Sequence, residues 1–123
     1  MKKINLQTLN IEQLIAHFVE IGLAQEKVLL HDDSAMFSAL FCDMRSVVEE
    51  LKGRDGDQRR ALLSLYEHPN LQVRLKAVKN SLALAPEEGR RVLRSIADSH
   101  EHPQALEAGM TLWNLDEGIF KPT

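Results

Sequence analysis

A seven-residue segment occurs twice in this chain, at an offset of 31 residues. Residues 59–65 read RRALLSL and residues 90–96 read RRVLRSI. A period of this size is typical of helical-hairpin repeats, in which each unit buries its apolar face by stacking on the next one. The duplication therefore predicts an all-α chain built from stacked hairpins.

The composition agrees with a helical core. Of the 123 residues, 44% are hydrophobic but only 5% are aromatic, so Leu, Ala, Val and Ile must fill the interior. That mixture suits close-packed helices better than a sheet. Nowhere does an alternation of apolar and polar residues persist long enough to predict a strand. The chain is long enough for one domain whose core needs neither a metal nor a disulfide.

Caps and breaks divide the chain into about six predicted helices, which lie near residues 9–30, 34–52, 57–67 and 70–84, then from Pro86 to the His102-Pro103 break, and from there to about residue 116. Short connections make neighbouring helices antiparallel. We therefore predict a single helical-repeat domain over residues 1–123. It comprises a divergent helical pair (1–53), a repeat hairpin (57–85) and a terminal hairpin (86–118) with a short tail (119–123). Glu-His-Pro recurs at an offset of 34, so the last hairpin is expected to be longer.

Residues 68–77, HPNLQVRLKA, resemble the HEAT-repeat pattern of a turn proline, then Val-Arg, then an alanine three residues after the arginine. The resemblance implies that Val73 and Ala77 pack between layers and that Arg74 helps to tie adjacent repeats together. Residues 108–122, AGMTLWNLDEGIFKP, are similar to a small bacterial HEAT-like family of unknown function. The resemblance implies an armadillo-type α-α superhelix of three antiparallel hairpins and transfers no activity.

The charge is segregated along the chain, although the net charge is only −3. Residues 1–51 carry −4, residues 52–94 carry +5 and residues 95–123 carry −4. The basic part contains the five arginines of the duplicated segments, namely Arg59, Arg60, Arg90, Arg91 and Arg94. A positive charge in the first turn opposes the helix dipole, so helix formation does not explain these residues.

Two interpretations of the five arginines are open. On stacked helices they would form a basic ridge that binds an acidic partner, either another protein or, less favoured, a nucleic acid. Alternatively, they form ion pairs with Asp57, Glu87, Glu88 and the acidic ends of the chain.

The only tryptophan, Trp113, also has two interpretations. The favoured one assigns it to the structural repeat: the tail folds back over the last repeat and Trp113 lies beneath it. In the other, Trp113 and Phe120 are exposed anchors for a partner, as aromatic residues are in many interfaces.

No residue pattern predicts catalysis or a metal. Residues 31–33, His-Asp-Asp, are similar to the metal-binding pair of phosphohydrolases, but the other ligands are missing, and Asp33 is better explained as a helix cap. His100 and His102 have a spacing that suits a strand rather than a helix. Cys42 lies in a mostly apolar helix, without a neighbouring arginine or histidine that would activate it. We predict no enzyme, no metal site and no cofactor.

These features together predict a cytoplasmic binding module. A single cysteine can form no internal disulfide, polar residues follow Met1-Lys2-Lys3 where a signal peptide needs an apolar core, and no segment approaches the roughly 20 apolar residues of a membrane span. The expected function is that of a protein-interaction scaffold. The alternatives are a toxin-neutralising, immunity-type protein and a module that binds the nucleic-acid backbone through the basic ridge. The negative net charge argues against the last of these.

Overall fold

The computed structural model describes residues 4–123, and these residues form helices and connecting segments without a strand. Five α-helices follow one another: α1 (Ile11–Leu29), α2 (Ser34–Gly53), α3 (Leu71–Ser81), α4 (Pro86–Ala97) and α5 (Gln104–Asp116). Two 3-10 helices, Leu6–Thr8 and Gln58–Leu65, precede α1 and α3. The predicted fold class, an all-α arrangement of helical hairpins, is confirmed.

The predicted helix starts agree with the structure where a side chain caps the helix. Asn10 and Gln13 form a reciprocal capping box at α1, with distances of 2.8 and 2.9 Å between each side-chain oxygen and the backbone nitrogen that it accepts from. Asp33 accepts from the Met36 amide at the start of α2 (3.0 Å). Each of these contacts joins residues three apart in the chain, as is typical of helix caps.

The expected third α-helix is wrong in type, because Gln58–Leu65 is a 3-10 helix. Asp57, which precedes this helix, adopts a left-handed backbone conformation (φ +50°), and its carboxylate binds the Arg59 side chain as well as the Arg59 amide. The segment is also short and is followed by the break at Pro69. A tight 3-10 helix is a common form for a short connector of this kind. The two double arginines therefore lie in different local structures, one in the 3-10 helix and one inside α4.

The chain contains two compact units, one ending at Ala61 and the other spanning Leu62–Thr123. In the first unit α1 and α2 pack as an antiparallel hairpin. Its core consists of Leu14, Phe18 and Ile21 of α1 and of Met44, Val47, Val48 and Leu51 of α2. Arg54 joins the N-terminal segment to α2, because its Nη2 atom donates to the carbonyl oxygens of Leu6 (3.1 Å) and Leu9 (2.7 Å).

In the second unit α4 packs against α5, and α3 contacts both of them. Val73 and Ala77 of α3, for which the resemblance implies packing between layers, are fully buried. Gly89 lets α4 approach the end of α3 closely, since a Cβ atom there would overlap with Leu82 Cδ1. The other core side chains come from all three helices: Leu75, Val78, Val92, Leu93, Ile96, Ala105, Ala108 and Leu112.

Polar side chains join α3 to α5. The buried side chain of Gln104 donates to Gln72 Oε1 at 3.0 Å. One turn farther along, Glu107 Oε2 lies 2.7 Å from Lys76 Nζ and 3.0 Å from Lys79 Nζ. Burial by itself raises the pKa of Glu107, but the two lysines outweigh burial and hold that pKa below its ordinary value. This contact between helices is therefore electrostatic as well as apolar.

Candidate functional site

The first two of the five arginines lie in the first unit and have different surroundings. Arg59 is buried and holds Asp57 through two hydrogen bonds, Nε to Oδ1 at 2.8 Å and Nη2 to Oδ2 at 2.6 Å. These bonds lower the pKa of Asp57 and raise the pKa of Arg59. Arg60 is exposed, and no acidic side chain within residues 4–123 lies within 4.0 Å of its guanidinium. The charge of Arg59 is thus balanced inside the unit by Asp57, whereas the Arg60 guanidinium faces solvent.

The other three arginines lie on α4, in the second unit. Arg90 Nη1 contacts Asp116 Oδ1 at 2.8 Å. Arg91 is paired with Glu88, and its hydrogen bonds lower the pKa of that carboxyl. Arg94 is exposed and has no ion pair in the described part of the chain. Exposed pairs of this kind are weak and can exchange partners.

The ion-pair interpretation of the arginines therefore describes three of them: Arg59, Arg90 and Arg91 meet Asp57, Asp116 and Glu88. Glu87, which was expected to take part, is exposed at the start of α4. The basic ridge stays a prediction for Arg60 and Arg94, the two arginines whose charge is not balanced locally.

Arg74, the arginine of the HEAT-like pattern, is half-buried beside a polar cavity of about 280 Å³. Its Nε atom donates to the His68 carbonyl at 3.0 Å, which ties the turn before α3 to the helix itself. Arg91, Glu67 and Ser95 also line the cavity. Glu67 lies in the cavity wall and Glu88 pairs with Arg91, so two carboxylates balance the two guanidinium groups.

The outer face of α5 carries a stripe of three exposed apolar side chains, one of which is Trp113. Leu106, Met110 and Trp113 are 60%, 55% and 58% exposed, and their spacing of four and three residues aligns them on one face of the helix. We refer to these three residues as the α5 stripe. The opposite face carries the buried residues Ala105, Ala108 and Leu112. Helix α5 is therefore apolar on both sides but buried on only one.

The favoured interpretation of Trp113, a core residue beneath the tail, is wrong. Gly118 adopts φ +70°, and the amides of Ile119 and Phe120 then donate to the Asn114 carbonyl at 2.9 and 3.1 Å. The tail consequently turns back on the end of α5 and leaves the Trp113 ring uncovered. A signal was present in the sequence, because a helix with apolar residues on two opposite faces needs a neighbour on each.

Within residues 4–123, no three His, Cys, Asp or Glu side chains come together in a way that could hold a metal ion. Asp33 serves as a helix cap, and Cys42 is an exposed free thiol on α2. Among the described helices, none combines the length and the apolar character that crossing a membrane requires.

Comparison with known proteins assigns the chain to a family. The family model described as "Domain of unknown function (DUF2019)" matches residues 12–116. The chain belongs to this family. It is also similar to a solved structure, "Crystal Structure of the Protein RPA1889 from Rhodopseudomonas palustris CGA009", at 46% identity and a TM-score of 0.94. That match covers 98% of this chain and 100% of the other. No curated protein matches the chain. The DUF2019 description carries no activity, so a function must be argued from the surface itself.

Proposed function

We propose that this DUF2019 protein is a cytoplasmic, non-enzymatic module that binds another protein, and that the α5 stripe is its contact surface. The observation that carries the proposal is the side-by-side exposure of Leu106, Met110 and Trp113. Aligned exposed apolar side chains are typical of interaction sites, and Trp and Met are enriched at the centres of interfaces. A tryptophan in such a position is a frequent hot spot.

The HEAT-like resemblance fits this proposal. The full burial of Val73 and Ala77 agrees with their implied roles between layers. In repeat proteins each unit buries its apolar face against the next, and end repeats need a polar outer face to stay soluble on their own. The outer face of such an end repeat would be polar, whereas the outer face of α5 carries the apolar stripe. A partner that covers α5 would take the position of a further layer. The free Cys42 thiol suits a reducing compartment.

The surroundings of the stripe indicate the charge of that partner. Residues 95–123 carry five acidic side chains and one basic one, and exposed Glu117 lies one turn beyond Trp113 on the same face. Electrostatic complementarity favours a partner whose apolar patch has a basic rim.

A second candidate is the acidic partner predicted from the sequence, bound through Arg60 of the first unit or through Arg94 of the second. Its support is that both guanidinium groups are exposed and lack an acidic neighbour within 4.0 Å in residues 4–123. Nucleic-acid binding has less support, since three of the five arginines already face carboxylates and few positive charges are left for phosphates.

Affinity capture from an extract of the native cells tests the proposal. We compare the wild type with Met110→Ser/Trp113→Ser and with a matched control, Phe41→Ser, which removes an exposed aromatic residue from the first unit. We expect the stripe variant to lose a protein that the wild type and the control both retain. Retention of the same proteins by all three would refute the stripe as the contact surface. Loss with Arg60→Gln/Arg94→Gln instead would assign the contact to the arginines.

A further inference from the structure

A cavity of about 420 Å³ lies in the second unit, and none of the α5 stripe residues lines it. The connection between α3 and α4 forms one side of it, and the C-terminal tail forms the other. Apolar and polar surface contribute about equally to its wall: Leu82, Pro86, Leu115 and Phe120 supply apolar surface, and Arg90 and Lys121 supply charge. We refer to this space as the tail cavity.

The local structure of the tail builds the cavity wall before any ligand arrives. Gly118 takes the left-handed conformation (φ +70°) that favours glycine, and it turns the chain back immediately after α5. The amides of Ile119 and Phe120 then donate to the Asn114 carbonyl, which anchors the turn to the last part of the helix. Phe120 and Lys121 are thereby held on the cavity side of the tail, so a ligand would not have to order them.

The charges at the tail cavity are unusual for this part of the chain. Lys121 is the single lysine or arginine after Arg94, and within residues 4–123 no carboxylate lies within 4.0 Å of its Nζ atom. Arg90 contacts Asp116 through Nη1 alone, and both side chains are partly exposed. A guanidinium has five N–H donors in a planar fork, so Arg90 keeps donors for a second acceptor. The cavity is thus lined by two cations, and Asp116, which pairs with Arg90, is not among the lining residues.

We propose that the tail cavity binds a small organic anion that combines one carboxylate with an apolar chain or ring. Pockets of roughly 300–1,000 Å³ that combine apolar surface with a few placed polar groups are typical small-molecule sites. The carboxylate would accept from Arg90 and Lys121, and the apolar part would contact Leu82, Leu115 and Phe120. Arg90 can engage a carboxylate with two parallel hydrogen bonds, which adds geometric selection to the charge. This site shares no residue with the α5 stripe and does not depend on the proposed protein partner.

The test is a titration of the ¹⁵N-labelled protein with 4-phenylbutyrate, followed by NMR. We expect saturable shifts at the amides of residues 82–90 and 115–121. The uncharged analogue 4-phenylbutan-1-ol lacks the carboxylate, and the short anion acetate lacks the apolar part. Each should therefore bind at least about tenfold more weakly than 4-phenylbutyrate. Shifts confined to the α5 stripe, or equal binding of acid and alcohol, would overturn the proposal.

Two variants separate a charge effect in the cavity from a general one. Arg90→Gln/Lys121→Gln should weaken 4-phenylbutyrate binding about tenfold or more. Arg94→Gln removes an exposed positive charge from the same helix outside the cavity, and it should leave the affinity within about twofold. Equal losses in both variants would refute the site. A peptide ending in a free phenylalanine carboxylate that binds more tightly than 4-phenylbutyrate would assign the cavity to a protein C-terminus and overturn the small-molecule assignment.

Discussion

Removal of the Glu107 charge is expected to destabilise the second unit, because this carboxylate balances two lysines. Lys76 is the buried member, with a side chain only 10% exposed, whereas Glu107 and Lys79 are 35% and 31% exposed. Glu107→Gln keeps the shape but leaves Lys76 without a counter-charge. Breaking a fully buried pair costs about 3–5 kcal/mol and breaking an exposed pair about 0–1 kcal/mol. Because Glu107 has an intermediate exposure, we expect Glu107→Gln to lower the free energy of unfolding by about 2 kcal/mol. That corresponds to about thirtyfold in the ratio of folded to unfolded protein.

Two further variants make this expectation specific. Lys79→Gln leaves the buried pair between Lys76 and Glu107 in place, so the expected loss is only about 0.5 kcal/mol. In the Glu107→Gln background, Lys76→Met removes the stranded charge but keeps the packed stem, and it should restore most of the lost stability.

Urea unfolding followed by tryptophan fluorescence measures these differences in the relevant unit. Trp113 is the only tryptophan in the chain and lies on α5, the helix that carries Glu107. If Glu107→Gln loses no more stability than Lys79→Gln, the reasoning about burial is wrong. If Lys76→Met adds to the loss instead of relieving it, the reasoning about the stranded charge is wrong.

The same carboxylate predicts a pH dependence. Burial raises the pKa of Glu107, but Lys76 and Lys79 hold the folded-state pKa below the ordinary 4.5. For a carboxyl whose pKa is lowered on folding, the stabilisation is complete above the unfolded-state pKa and is lost as the pH falls through the folded-state pKa. The stability difference between the wild type and Glu107→Gln should therefore shrink as the pH falls below 4.5. An unchanged difference between about pH 7 and about pH 3 would contradict this.

Three further variants test local contacts. Tyr66→Phe removes a buried hydroxyl that lies 2.7 Å from Ser81 Oγ, and chemical denaturation should show a loss of about 1 kcal/mol. Asn70→Ala removes the side-chain cap of α3 and should lower the free energy of unfolding by about 1 kcal/mol in the same assay. An unchanged free energy of unfolding would show that the cap does not stabilise the protein. Arg54→Ala releases two backbone carbonyls of the N-terminal segment, so amide exchange over residues 4–9 should accelerate while the α1–α2 hairpin stays folded. Unchanged exchange there would show that the arginine does not hold the segment.

The parts of the fold that sequence reasoning predicted are those determined by residues near each other in the chain. The cap at Asn10, the cap at Asp33 and the start of α4 at Pro86 each depend on contacts within about one helical turn. The prediction of an α-helix over residues 57–67 is wrong because the Asp57 side chain binds Arg59. The spacing of residues in the sequence does not decide between that contact and a helix cap.

The candidate surfaces were harder to predict because they depend on what lies next to each helix. The sequence marked Trp113 and the five arginines as notable but could not show which face of α5 the tail would cover. It also could not show that Arg90 and Lys121 line one cavity, since these residues are far apart in the chain and meet only after α5 packs on α4. Periodicity places side chains on a face, and only packing decides whether that face has a neighbour.

The two-sided apolar character of α5 also bears on how the protein behaves at high concentration. One side of the helix closes the core of its own unit, and the other presents Trp113 and its neighbours to water. In the absence of a partner, that outer side is available to any apolar surface that diffuses to it. Solubility and recognition therefore place opposite demands on the same three residues. Replacing them with polar side chains would improve the solubility of the isolated protein, but it would also remove the surface through which we propose that it binds its partner.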